Sequence, residues 1–189
     1  MALGKFVAPQ GNFIKSTPFN AQAAEGHPLI VIVREFNPEF STEAYPNKRP
    51  VAFVMIADLE PVKAGGAAVL YANALLGGDA VADRLKDYAG AEDEDGNPVK
   101  LPVKLGQKAS KQGGRKYRTI EPLTGAELAL AVAWDEKNPT ALQDERARLQ
   151  AEADAEAAKN EGNGAAPKAG TGTKFDDSAL EAAIAGLKS

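Results

Sequence analysis

The chain has 189 residues, 44% of them hydrophobic, and a formal net charge of −4, which suits one packed domain with extensions. It has no cysteine, which excludes disulfides, thiolate nucleophiles and cysteine metal sites, and its single histidine, His27, excludes a multi-histidine metal centre within one chain. No apolar run approaches the roughly 18 residues of a membrane-spanning helix, and residues 1–26 lack the long apolar core of a secretion signal. The expected location is therefore the cytoplasm, with no membrane partner, and no catalytic residue, metal or cofactor is expected.

Residues 1–28 mix Gly, Pro, Asn and Ala with Phe6, Phe13 and Phe19. That spacing fits neither helix nor strand, so an irregular N-terminal arm is expected, its rings covering the core. Residues 29–36, LIVIVREF, form a dense β-branched run and the first predicted strand. Apolar residues fall on both parities, which predicts that both faces are covered. Residues 37–50 carry Pro38, Pro46 and Pro50 and read as a loop offering Phe40, Tyr45, Lys48 and Arg49. Residues 51–59 are the second strand and residues 60–66 a turn. Residues 67–76 are alanine-rich, yet their length and the flanking Gly-Gly pairs favour a third strand over a helix. Asp79 as N-cap, with Val81, Leu85 and Tyr88 at helical spacing before Gly90, predicts one short amphipathic helix. Glu92, Asp93, Glu94 and Asp95 read as an exposed acidic turn, since consecutive acids beside Gly96 and Asn97 need no metal to explain them.

Residues 96–120 hold Lys100, Lys104, Lys108, Lys111, Arg115, Lys116 and Arg118 and no acid, which leaves −11 on the rest of the chain. Val99, Leu101, Val103 and Leu105 alternate with Lys100, Pro102, Lys104 and Gly106, the period of a strand with one buried face, and this places Lys100 and Lys104 together on the wet one. Residues 107–114 lack apolar periodicity and read as a mobile connection. A second β-prone run follows, with Tyr117, Thr119 and Ile120. The product is a basic hairpin with an aromatic near its base, a combination suited to phosphates and a stacked base. Thr124 and Glu127 then have capping-box spacing for a helix to about residue 137.

From residue 138 to 159 the chain is rich in helix formers with only Leu142 and Leu149 as large apolar residues, so a solvated helix without a core of its own is expected. Residues 160–174 read as a flexible linker. Residues 175–189 read as a short amphipathic tail helix, with Ser178 and Glu181 at capping-box spacing. Its stripe of Leu180, Ile184 and Leu187 suits a groove on another protein. Residues 141–189 carry nine acids and six bases, so repulsion of a nucleic-acid backbone is expected there.

Strand, strand, strand, helix, strand, strand is the order of an OB-fold, a five-stranded partly open barrel whose first and last inter-strand loops commonly bind oligonucleotides. The expected class is thus mainly β, with an OB-fold-like barrel at residues 29–137 followed by C-terminal helices. Residues 29–134 also resemble a family of single-stranded-DNA-binding-like OB-fold proteins of tailed phages of actinobacteria. The resemblance rests on LIVIVREFNPEF, RPVAFVMIADLE, the Leu-Leu segment before the short helix, and VKLGQKASKQGGRKYRTIEPLTGAEL. That family often has a tryptophan in the strand after the Lys/Gly loop, where this chain has Tyr117. The resemblance implies a sequence-tolerant protector of single strands in phage replication or recombination. The expected DNA-binding residues are Lys48, Arg49, Lys100, Lys104, Lys108, Lys111, Arg115, Lys116 and Arg118 for phosphates, with Tyr117, Tyr45 and Phe40 for stacking. The expected partner of Leu180, Ile184 and Leu187 is a replication or recombination protein, and a homo-oligomer stays open. The competing class is a protein-interaction or virion assembly factor whose basic hairpin and helical tail bind other proteins.

Overall fold

A computed structural model describes residues 18–41, 46–110, 114 and 116–161. The protein is mainly β, an open five-stranded antiparallel sheet in the order β3-β2-β1-β4-β5. Its strands are β1 (Leu29–Phe40), β2 (Arg49–Asp58), β3 (Val69–Gly77), β4 (Leu101–Ala109) and β5 (Lys116–Pro122). Helices follow strands: α1 (Glu60–Lys63) after β2, α2 (Asp79–Leu85) after β3, and α3 (Gly125–Lys137) and α4 (Ala141–Glu161) after β5.

The both-parity apolar run of β1 has the expected consequence. Leu29, Val31 and Val33 enter one core with Ile56, Leu105, Ile120 and, from α2, Val81 and Leu85. Ile30 and Ile32 enter a second core on the opposite face with Met55, Leu123, Ala131 and Leu142. Phe19 of the N-terminal segment is buried in the first core and stacks edge-on with Tyr71, ring centroids 5.0 Å apart, which is the covering role expected of it. Phe6 and Phe13 lie outside the described residues. The two outer strands of the sheet, β3 and β5, do not pair with each other among the described residues. Instead α2 packs against β5 as well as β2 and β3, and Arg84 Nη1 donates to the Ile120 carbonyl at 2.7 Å.

Four local differences from the sequence reading have identifiable causes. β1 continues past Phe36 because a register shift between Asn37 and Phe40 absorbs Pro38, while the Asn37 side-chain oxygen accepts the Glu39 N–H at 2.9 Å. Residues 60–63 are a helical turn, started by Pro61 and by Asp58 Oδ1 accepting the Glu60 N–H. A Cβ at the following Gly66 would lie 3.1 Å from the Pro61 carbonyl oxygen, a tight backbone contact that glycine avoids. After Leu85 the chain tightens into a 3-10 turn, Lys86–Tyr88, which rotates Tyr88 out of the apolar stripe and leaves it 41% exposed. The capping box at α3 does not form: Thr124 makes no side-chain cap, and the Glu127 carboxylate is engaged elsewhere.

The largest difference is at α4. Residues 142, 146, 149, 153 and 157 run along its covered side, with 141, 143, 145 and 150 partly covered beside them; the helix packs on β3 and β2, and Leu142 is only 3% exposed. One leucine at the right helical phase is enough to seat this helix on the second core. The tail residues Leu180, Ile184 and Leu187 lie outside the described residues.

Candidate nucleic-acid interface

The β4–β5 hairpin is longer than its apolar alternation predicted. Pairing continues through Gln107↔Arg118, Lys108↔Tyr117 and Ala109↔Lys116, because ladder hydrogen bonds extend a strand without requiring an apolar face. Directly paired residues share a face, so Lys104, Lys108, Tyr117 and Glu121 project to one side. Gln107, Ala109, Lys116 and Arg118 project to the other. Tyr117 is 44% exposed and Lys116 is exposed too, so the ring is flanked by cations on both faces of the ribbon.

The expected wet face of Lys100 and Lys104 is covered by α3. Lys100 Nζ lies 2.7 Å from Asp135 Oδ1 and 2.6 Å from the Pro139 carbonyl, and Lys104 Nζ lies 3.2 Å from Glu127 Oε2. Lys63 approaches the same carboxylate at 3.6 Å. Lys100, just before β4, and Lys104 on β4 fasten α3 to the sheet. Lys104 and Lys63 hold the Glu127 carboxyl below the usual carboxylate range, the Lys104 hydrogen bond most of all. Sequence reasoning treated the lysines as equivalent because charge alternation along β4 carries no information about what packs above them.

The remaining cations divide by position. Lys108 pairs with Glu121 at 3.1 Å, both partly exposed, an arrangement that solvent screens and that an incoming phosphate can replace at small cost. Arg118 is half-buried beside Glu25, and burial lowers its pKa while the Glu25 charge raises it. Glu25 is the residue that sequence reasoning missed: it accepts from Gln107 Nε2 at 2.6 Å and bridges to Leu105, bringing the N-terminal segment against the hairpin. Nothing in the spacing around residue 25 signals this. Lys111 and Arg115 lie outside the described residues.

The β1–β2 connection contributes a separate surface. Lys48 pairs with Glu39, and Arg49 is exposed opposite Phe40 in the ladder. Phe40 packs edge-on against Phe53, with ring centroids 5.7 Å apart, so its ring has a structural partner. Tyr45 lies outside the described residues. β4 pairs with β1 only at the start of β1, through Leu29, Ile30 and Val31, so the β1–β2 and β4–β5 connections leave the sheet at opposite ends. The structure therefore brings together Lys108, Lys116 and Tyr117 at one end and Lys48, Arg49 and Phe40 at the other.

The acidic turn has a local explanation. Asp93 accepts the N–H groups of Asp95 and Asn97 at 3.0 and 2.8 Å, and the Asn97 bond is the chief cause of its lowered pKa. No group of three or more metal-ligating side chains occurs among the described residues, and no helix there is long and apolar enough to cross a membrane. Comparison with protein-family models, curated proteins and solved structures gives no match.

Proposed function

We propose that this chain is a non-enzymatic, sequence-tolerant binder of single-stranded DNA, an OB-fold-like barrel that protects strands in phage replication or recombination. The observation that carries the reading is the exposed Tyr117 ring paired directly across the hairpin with Lys108, with Lys116 beside it on the reverse face. A ring of this kind offers a stacking platform that tolerates any base, and the flanking ammonium groups follow the phosphates. The strand order supports the fold part of the proposal, since bending β3-β2-β1-β4-β5 brings its two outer strands toward each other, with α2 between them. Lys111 and Arg115, which the sequence puts between Lys108 and Lys116, extend the same charge.

The test is a titration of labelled oligo-dT, with duplex as competitor, across a range of salt concentrations. With Lys100 and Lys104 committed to α3, contacts fall to Lys108, Lys111, Arg115 and Lys116. Four contacts at about 0.7 each give a slope of log K against log salt of about −2.8. A flat salt response, or equal preference for duplex, overturns the proposal. A protein-binding or virion assembly role is favoured by a different observation: Leu128 and Val132, one turn apart on α3, are 36% and 48% exposed. That reading predicts indifference to nucleic acid in the same titration.

A further inference from the structure

Away from the hairpin, α4 packs on β3, and two arginines lie along that seam, Arg146 on the helix and Arg34 bonded to β3. Arg146 lies on the covered stripe of that helix, between Leu142 and Leu149. Arg34 sits at the register shift of β1 between Val33 and Glu35, the kind of irregularity that re-aims a side chain. Its Nη1 donates to Asn73 Oδ1 on β3 at 3.4 Å. Arg146 is near enough that its charge, after burial itself, lowers the Arg34 pKa, while Glu35 acts in the opposite sense.

The neighbouring acids do not balance the pair. Glu35 is exposed, and Glu145 and Glu152 on α4 are both bound to Arg148. Arg146 Nη1 is buried without a hydrogen-bond partner among the described residues, and so is Gln143 Oε1, one helical turn before it. Two guanidinium groups and an unfilled donor in a partly dry seam are costly unless an anion occupies the space between them. Guanidinium forks match the oxygens of a phosphate better than any other side chain, and the free Gln143 oxygen can accept the proton of a monohydrogen phosphate.

We propose that Arg34 and Arg146, flanked by Asn73 and Gln143, form a binding site for a phosphate group in the seam between β1, β3 and α4. It is independent of the hairpin reading, because none of its four residues belongs to β4 or β5. Two sources share this chemistry, inorganic phosphate and the terminal phosphate of a nucleic-acid strand.

The experiment uses the full chain at pH 7 and constant ionic strength, comparing thermal unfolding in chloride and in inorganic phosphate. The wild-type midpoint should rise with phosphate and saturate. Arg146→Met should fold at least as stably in chloride, because a like charge near Arg34 is removed, and should lose the phosphate-dependent rise. Lys108→Ala should keep it. Equal wild-type midpoints in the two salts overturn the proposal, as does a rise that persists undiminished in Arg146→Met, which would be a general salting effect. Broadening of the phosphate phosphorus resonance by wild-type protein is the second readout, free of any folding defect in the variant, and its absence also overturns the site. Reversal of that broadening by 5′-phosphorylated but not 5′-hydroxyl oligo-dT assigns the occupant to a strand terminus. Resistance to both oligomers assigns it to free phosphate.

Discussion

Tyr117 is the residue on which the stacking claim stands, and its exposure beside cations separates it from the other rings. Tyr71 and Phe19 pack edge-on in the first core, and Phe40 packs on Phe53. Tyr117→Ala should cost about 1–3 kcal/mol of single-strand affinity, and Tyr117→Phe should be nearly neutral because the π-face is retained. Fluorescence titration of both variants checks this, and equal losses would point to a hydroxyl contact instead. The thermal midpoint of Tyr117→Ala should hardly move, since the side chain is 44% exposed. The aromatic–basic combination was legible in the sequence. The separation of Lys108 from Lys100 and Lys104 was not, because all three share one parity of the sequence and differ in whether an α3 carboxylate reaches them.

At the level of elements, α3 is held by ion pairs as well as by Ala131, and this has a pH signature. Glu127 has a depressed pKa in the folded chain, caused first by Lys104. The folded chain therefore takes up this proton less readily than the unfolded chain does. The contribution is complete above the unfolded value of about 4.3 and is lost as pH falls through the folded value. Glu127→Gln should lower the unfolding midpoint at pH 7 and flatten the loss of stability on acidification below about pH 5, as followed by circular dichroism. An unchanged acid profile would remove Glu127 from the latch. α4 depends on packing instead. Leu142→Ala should cost about 2–5 kcal/mol, the range for a buried leucine truncated in a core, measured by denaturant unfolding. A cost typical of a solvated helix, under about 0.5 kcal/mol, would detach α4 from the second core.

For the whole molecule, charge distribution decides what the C-terminal end can do. The acidic excess of residues 141–189 lies within α4, because residues 162–189 carry three acids and three bases. Truncation after Glu161 should therefore leave both the thermal midpoint and single-strand affinity unchanged, while removing the Leu180, Ile184 and Leu187 stripe from any protein that it engages. Comparing oligonucleotide titrations and pull-downs of the two forms tests this. A large fall in DNA affinity would show that the tail belongs to the DNA site.

By itself the sequence determined the elements whose signal is local. β-branched density on both parities made β1 a strand covered on both faces, glycine pairs bounded β3, and Val81 and Leu85 at helical spacing set α2 against the core. Tertiary structure alone decided which charged side chains are spent within the fold and which stay exposed. The Lys100–Asp135 pair joins residues 35 positions apart, and the Arg34–Asn73 contact residues 39 apart. Periodicity reports which face of an element is apolar over a few residues, whereas the partner of a charge is set by what the completed sheet brings across from it.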